Sequence, residues 1–333
     1  MAYSADVTRY EQMTYRRCGT SGLKLPLLSL GLWHNFGGDD DYGTMKRMCF
    51  AAFDRGVTHF DIANNYGPPA GSAERNFGRI LREELSDYRD ELIVSTKAGY
   101  YMWPGPYGDK GSRKYLLASL DQSLSRLSLP YVDIFYHHRM DPETPLEESM
   151  LALDTAVKSG RALYAGISNY DRATARKAAA ILKELRCPFV LDQVRYSIFD
   201  RHIEPDGLEK AADSEGFGLI AFSPLAQGLL TDRYLDGIPQ NSRIGKGGPF
   251  LKREQLTEEK LRQIRALNDL ARSRGQTLSQ FALSWVLRNN SITSVLIGAS
   301  SPEQVIDNLG ILSAPPLTPD ELQQIDAITG VIH

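Results

Sequence analysis

A (β/α)8 TIM barrel is the fold that this 333-residue sequence predicts, and three observations lead there. Eight short apolar runs recur along the chain. Amphipathic segments separate them, and polar residues gather at the C-terminal ends of several of the runs. Parallel strands need crossover connections, so strand and helix in alternation indicate a parallel sheet. Eight strands over about 250 residues is the arithmetic of the closed barrel. A doubly wound sheet is the competing arrangement. No Gly-x-Gly-x-x-Gly follows the first strand, and no single switch point collects the polar residues, which both count against it.

The elements follow in order. Segment 13–26 alternates and carries Gly19 and Gly22, which predicts an N-terminal hairpin before the barrel. Strands are expected at 27–32 (L-L-S-L-G-L), 58–63 (T-H-F-D-I-A), 92–97 (L-I-V-S-T-K) and 132–138 (V-D-I-F-Y-H-H). Four more are expected at 162–168 (A-L-Y-A-G-I-S), 189–194 (F-V-L-D-Q-V), 219–223 (L-I-A-F-S) and 294–298 (S-V-L-I-G). Each is rich in aliphatic, β-branched or aromatic residues. Apolar residues at helical spacing predict helices at 44–55, 73–85, 113–127, 146–159, 172–185, 207–214, 258–274 and 278–288. Pro302 opens a further helix to 312, and another at 318–328 follows the Pro315-Pro316 break, so extra C-terminal helices are expected. One connection is long: 228–256 is rich in Gly, Pro and Arg, and loops of that length are usually functional or disordered. With no linker, low-complexity tract or longer repeat, a single domain over 1–333 is expected, its core at about 15–328.

Composition is that of an ordinary globular chain, 42% hydrophobic and 24% charged. The net charge of -3 leaves no global basic field for nucleic acid. Cys18, Cys49 and Cys187 are odd in number and lack CxxC spacing, so they predict a reducing compartment without disulfides or structural zinc. The first ten residues carry no apolar signal core and no run approaches a membrane span. A cytoplasmic protein that meets neither membrane nor nucleic acid is the expectation.

The chemistry gathers where the second strand runs out. Asp61 shares one strand face with His59, and Tyr66 lies in the loop beyond, before Gly67-Pro68-Pro69. On the third strand Lys97 shares a face with Ser95. The opposite faces are more apolar and suit the surrounding helices, which leaves Asp61 and Lys97 pointing into the barrel mouth, where barrel enzymes do their chemistry. Lysine is almost never buried without a partner, and Asp61 on the neighbouring strand is the obvious one. A plain ion pair would account for these two residues alone. Tyr66 adds a proton donor: free tyrosine titrates at about 10, and a neighbouring ammonium is expected to lower that value. The fourth strand ends in His137-His138, which face opposite sides and cannot both line the mouth. Without a second histidine at ligand spacing, an HExxH or an acidic cluster, no metal is expected.

The stretches F-D-I-A-N-N-Y-G, S-T-K-A-G, Y-V-D-I-F-Y-H-H-R, G-I-S-N-Y and V-L-I-G-A-S, in that order, resemble the aldo-keto reductase superfamily. The resemblance runs from Tyr15 to about Ile328. Within it, N-N-Y-G-P-P-A-G-S-A-E and Y-M-W-P-G-P-Y-G resemble the branch that reduces L-glyceraldehyde 3-phosphate, itself similar to the potassium-channel β-subunits. It implies Tyr66 as general acid, Asp61 and Lys97 as the pair that tunes it, and His138, not His137, as the histidine that orients a carbonyl. Channel-type relatives carry asparagine at that last position, so His138 favours an active reductase.

The cofactor implied is NADPH, held without a dinucleotide-fold glycine fingerprint. Ser168, Asn169 and Gln193 match the carboxamide contacts and Phe222 the ring stacked on the nicotinamide. Ser223, Pro224, Leu225, Ala226, Gln227 and Gly228 resemble the pyrophosphate loop. Gly298 and Ser300 are expected to open the last long helix, with Gln304, Asp307 and Asn308 toward the adenine. Arg233 and Arg243 fall where relatives place cations near the ribose phosphate. Trp33 and Asp61 complete the implied cofactor set. Trp33, His34, Phe36, Tyr101 and Trp103, with Tyr66 and His138, are expected to wall the substrate pocket. Small aldehydes are the implied substrates (L-glyceraldehyde 3-phosphate, methylglyoxal or aromatic aldehydes), and family habit implies a homo-oligomer, tetramer or larger. Two other functions compete: an NADPH-binding regulatory subunit with vestigial turnover, and a barrel lyase using Lys97 as a Schiff base. The second conflicts with Asp61, which would keep Lys97 charged.

Overall fold

The computed structural model of the chain describes residues 3–240, 242–245, 247 and 251–331. A short antiparallel hairpin comes first, β1 (Tyr15–Arg17) and β2 (Lys24–Pro26), pairing Tyr15 with Pro26 and Arg17 with Lys24. Among the described residues eight parallel strands then close into a barrel: β3 (Leu28–Gly31), β4 (His59–Asp61), β5 (Ile93–Ala98), β6 (Val132–His137), β7 (Ala162–Ser168), β8 (Phe189–Arg195), β9 (Gly218–Phe222) and β10 (Ile292–Ile297). Pairing of β10 with β3 through Val295 and Leu28 completes the ring, so the barrel has no open edge. The (β/α)8 barrel expected from the alternation is the fold observed.

Helices surround the barrel: α1 (Tyr42–Phe53), α2 (Ser72–Glu83), α3 (Arg113–Leu127), α4 (Leu146–Lys158), α5 (Arg172–Glu184), α6 (Ile203–Asp206), α7 (Leu208–Glu215), α8 (Glu258–Ser273) and α9 (Leu278–Leu287). Two more, α10 (Pro302–Leu309) and α11 (Pro319–Thr329), follow the last strand. Local chemistry moves several expected boundaries. Helix α1 begins at Tyr42 because the Asp41 carboxylate accepts from Thr44 N at 2.6 Å and caps it. The helix expected at 207–214 is α7, and left-handed Gly207, at φ of 75°, separates it from the short α6 that the sequence reading did not expect. Helix α10 stops at Leu309 and tightens into a 3-10 turn, Gly310–Ser313. The 228–256 connection carries short 3-10 turns at Asp232–Tyr234 and Arg253–Gln255, and residues 241, 246 and 248–250 of it lie outside the described residues.

Strand alternation sorts the side chains into two cores. Outward Phe60, Val94 and Phe135 pack with the helices. Inward Ile134, Tyr136, Leu191, Ile220 and Leu296 fill the barrel together with Cys18 and Leu25 of the hairpin region. Gly166 is required here, since a Cβ on it would lie 2.4 Å from the Tyr136 ring. The hairpin is tied down by Arg16, whose guanidinium donates to the carbonyls of Leu287 (3.0 Å), Asn289 (3.3 Å) and Ile292 (2.8 Å). No helix among the described residues is long and apolar enough to cross a membrane.

Arg16→Ala leaves three carbonyls at the base of the barrel without their donor. A loss of about 1–3 kcal/mol in unfolding free energy is expected, read from urea denaturation. The polar mouth formed by Asp61 and Lys97 should be unaffected, because it lies at the other end of the strands.

Candidate active site

Strand β4 ends at Asp61, earlier than the run of apolar residues suggests, but the chain keeps following β5. Ile62 N donates to Ser95 O at 3.0 Å and Asn64 N to Lys97 O at 3.0 Å. This carries the backbone up the barrel wall to the loop that holds Tyr66. Gly67 makes the turn possible: its φ is 106°, and a Cβ there would sit 1.9 Å from Ser72 Oγ.

The β4–β5 register pairs Asp61 with Ser95, so Lys97 stands one inward position closer to the mouth. Its Nζ reaches back to Asp61 Oδ2 at 2.6 Å, and both side chains are almost wholly buried, at 0% and 2% exposure. Asp61 Oδ1 accepts from Ser95 Oγ at 2.7 Å and from Gln193 Nε2 at 3.1 Å. Lys97 also donates to Ile62 O (2.8 Å) and to the Tyr66 hydroxyl (3.4 Å). Three acceptors match the three N–H groups of an ammonium, so the lysine is charged and has no lone pair for Schiff-base chemistry. The Tyr66 oxygen receives that bond, which leaves its own proton free to be given away.

The direction of the Tyr66 shift corrects the sequence expectation. Burial pushes the phenol well above its ordinary value, and the Asp61 and Tyr100 charges push the same way. Desolvation of a forming phenolate outweighs any help from the lysine. Lys97 is itself lowered by burial while Asp61 raises it. Tyr66 therefore stays protonated at neutral pH, and the ammonium 3.4 Å away stabilises a phenolate only once the proton has left.

His138 follows β6 and is pinned by its N–H to Ala98 O at 2.9 Å. Its ring centroid lies 5.9 Å from that of Tyr66, with Tyr100 edge-on at 4.7 Å and 87°. Burial lowers it well below an ordinary histidine, helped by Lys97, His137 and Arg139, so the ring is neutral. Its Nδ1 is buried without a partner among the described residues. His137 faces the other way, as alternation predicts, and pairs with the Tyr170 hydroxyl at 2.7 Å.

The residues expected at the nicotinamide carboxamide come together beside this group. Ser168 Oγ donates to Gln193 O at 2.9 Å, and the Asn169 amide donates to His138 O (3.1 Å) and Ser168 Oγ (3.0 Å). Gln193 is thus coupled to Asp61 as well, a link that sequence reasoning missed. At the end of β9, Phe222 is partly exposed and Ser223, Ala226 and Gln227 all hold left-handed backbone, at φ of 52°, 47° and 62°. Three residues in left-handed backbone within one turn are strain of the kind that clusters at ligand-binding loops. Pro224 is buried and Leu225 is partly exposed within it. Gly228 and Gly298 have nothing within 4 Å of a would-be Cβ, which leaves room for a ligand to approach the backbone. Gln227 bridges this loop to Arg243, accepting from its guanidinium and donating to Ser223 Oγ at 3.1 Å. Strained backbone, open glycines, hydroxyls and a guanidinium suit a dinucleotide phosphate chain.

The other expected residues are placed as follows. Ser300 precedes α10, and Ser301 caps it in place of Ser300. Gln304 turns back to accept from Ser300 N at 2.8 Å, and Asn308 is buried. The Asp307 carboxylate accepts from Thr277 (3.3 Å), the cap of α9, and from Gln280 (3.2 Å) on that helix. Arg233 is exposed. Phe36 is 1% exposed and packs in the core, so it offers no surface to a substrate. Tyr101 is 59% exposed, and Trp103 stacks toward Tyr115 at 5.2 Å. Trp33 stands beside Tyr66, with centroids 6.0 Å apart at 29°, and against His34 at 4.3 Å. His34 is lowered to about 4 by burial and by the charge of Arg243. Two residues that motif matching left out contribute here. Ser95 bonds Asp61, as its place two residues before Lys97 allowed, and Tyr100 walls His138, for which no sequence signal stood out. Among the described residues no group of three or more His, Cys, Asp or Glu is placed to hold a metal ion.

Comparison with known proteins agrees with this geometry. Residues 27–329 match the model of the aldo/keto reductase family. The chain belongs to that family. It is 54% identical over 329 residues to an L-glyceraldehyde 3-phosphate reductase of Escherichia coli strain K12, covering 98% of this chain and 95% of that one. The protein of the same description from Escherichia coli O157:H7 is 53% identical over the same length. Among solved structures, the holo form of an aldo-keto reductase from Bacillus halodurans superposes with a TM-score of 0.75 at 25% identity, covering 96% and 97% of the two chains. The protein is therefore an oxidoreductase of a family that uses nicotinamide cofactors.

Burial lowers both His59 and His137 to about 4. Their folded values lie below the unfolded value of about 6.5, so the unfolded chain binds the extra protons. The stability these histidines allow is fully present above about pH 6.5 and is lost as pH falls toward 4. Unfolding free energy should drop by about 1.4 kcal/mol per pH unit per histidine across that window. His137→Asn should flatten the slope measured by urea denaturation.

Proposed function

We propose that the protein is an NADPH-dependent reductase of small aldehydes that acts on L-glyceraldehyde 3-phosphate, and also on methylglyoxal and aromatic aldehydes. The observation that carries this reading is the Tyr66 hydroxyl, which accepts from Lys97 and keeps its own proton at a mouth shared with neutral His138. The family membership and the names of the E. coli relatives support the substrate. The aromatic rings of Trp33 and Tyr100 beside Tyr66 and His138 support aromatic aldehydes.

The bound nicotinamide cofactor would supply the hydride. Ser168, Asn169 and Gln193 would hold its carboxamide, Phe222 its ring, the loop Ser223–Gly228 with Gly298 and Ser300 its phosphates, and Gln304 with Asn308 its adenine. Arg243, held over the loop by Gln227, would favour the extra phosphate of NADPH. His138 offers an uncharged ring to the carbonyl oxygen and so orients it without competing for the proton. Tyr66 then gives its proton to that oxygen. Lys97 stabilises the phenolate left behind, and Asp61 keeps the lysine in place and charged.

Tyr66→Phe is expected to lower kcat by about 10²–10⁴-fold, the usual worth of a positioned acid. NADPH binding, followed by cofactor fluorescence, should be nearly intact. Normal turnover by this variant would remove Tyr66 from the role. Arg243→Ala should weaken NADPH by at least about tenfold while leaving NADH little changed, the expected loss of one charge-assisted hydrogen bond. Equal losses for both would show that the arginine does not read the extra phosphate.

A further inference from the structure

Below the ion pair a line of buried hydrogen bonds crosses the barrel. Ser95 Oγ lies 2.7 Å from Asp61 Oδ1, and His59 Nε2 lies 2.9 Å from Ser95 Oγ. His59 Nδ1 lies 2.9 Å from Ser29 Oγ, and Ser29 Oγ lies 2.7 Å from Ser294 Oγ. Ser29, His59, Ser95 and Ser294 are all 0% exposed and come from the four adjacent strands β10, β3, β4 and β5. Around them the barrel interior is apolar, with Ile134, Leu191, Ile220 and Leu296. A polar line in such surroundings is costly unless each member is satisfied.

The donors can be assigned from one end. A carboxylate only accepts, so the single Ser95 proton goes to Asp61. Ser95 can then only accept from His59, which fixes the proton of the imidazole on Nε2. Neutral His59 must accept at Nδ1, which takes the proton of Ser29, and Ser29 accepts in turn from Ser294. The longer 3.3 Å approach of Ser294 to Leu27 O is left unfilled. Every hydrogen bond in the line points toward the carboxylate. All four members are buried, and the far end of the line is the Ser294 hydroxyl.

We propose that His59 is a positioning residue for proton delivery: locked as the Nε2–H tautomer by the Asp61–Ser95 hydrogen bond, it acts through Ser95 to hold the Asp61 carboxylate in place beneath Lys97 and Tyr66. This rests on the proposed role of Tyr66. Asp61 is faced by Lys97 and Ser95 from β5, by Gln193 from β8, by His59 from its own strand and by the charge-sensitive hydroxyl of Tyr136 from β6. His59 is faced by Ser29 and Ser95, with the charges of Asp61 and Lys97 acting on it in opposite senses. Removing a donor from a carboxylate favours its protonated form.

The test uses the enzyme with NADPH and methylglyoxal, an aldehyde with no phosphate to titrate, and compares Ser95→Ala and His59→Leu with the conservative Ser95→Thr and His59→Gln. Ser95→Ala and His59→Leu should lower kcat about tenfold or more at unchanged KM, and move the acid limb of the kcat profile up by about one pH unit. Ser95→Thr and His59→Gln, which keep the donor, should restore both. In the protein without substrate, ¹⁵N resonances of His59 should report the Nε2–H tautomer in the wild type and lose that preference in Ser95→Ala, whatever the turnover. A kcat loss with an unmoved limb, no rescue, or an Nδ1–H tautomer in the wild type would overturn the proposal. Tyr66→Phe in parallel separates the two claims. If it turns over normally, the acid assignment fails; if it is inactive while Ser95→Ala matches the wild-type profile, only the role of His59 fails.

Discussion

Two opposite charges share the dry mouth of the barrel, and the site depends on how that pair is made tolerable. Taking an ammonium and a carboxylate out of water costs on the order of several kcal/mol per ion, which attraction alone does not repay. Here the remaining valences are filled. Asp61 accepts from Ser95 and Gln193, and Lys97 donates to Ile62 O and to the Tyr66 hydroxyl. The last of these bonds joins the ion pair to the chemistry, because it fills the lysine and orients the phenol in one contact.

That dependence explains why groups from across the sheet converge on one carboxylate. Gln193 stands on β8, far from β4 around the ring, yet its amide reaches Asp61 while its carbonyl accepts from Ser168 and Asn169. Asn169 in turn holds the carbonyl of His138. A displacement of any one of these side chains is therefore felt at the others, as in any connected buried polar network. At the rim the first and last loops are clamped by Asn35 Nδ2 donating to Ala299 O at 2.8 Å. The loop after β9 keeps three residues in left-handed backbone, a cost that scaffold rigidity alone would not demand.

Local pattern was enough to place every barrel strand and to put Asp61, Lys97 and His138 at strand ends facing one another. The reason is that a strand reads its faces off a period of two, and a parallel barrel collects the ends of its strands in one place. The helix boundaries moved by only a few residues, where a capping Asp41 or a left-handed Gly207 decided them. The motif order from F-D-I-A-N-N-Y-G onward was equally legible and identified the family that the comparisons show.

What the sequence left open depended on neighbours that are distant along the chain. The Tyr66 shift has the sign opposite to expectation because burial is a property of the assembled barrel, while the nearby lysine could be read from the strand. Phe36 was an aromatic in a mouth loop until packing took it into the core, and the hydrogen bonds of Asp307 to Thr277 and Gln280 could not be read from its own stretch. His59 read as one polar residue on the inner face of β4. Only closure of β10 against β3 brings Ser294 to Ser29, and so turns four isolated polar side chains into one line ending at Asp61. Alternation along a strand determined which residues point inward; which of them meet, and at what cost in lost water, was decided by the ring of neighbouring strands.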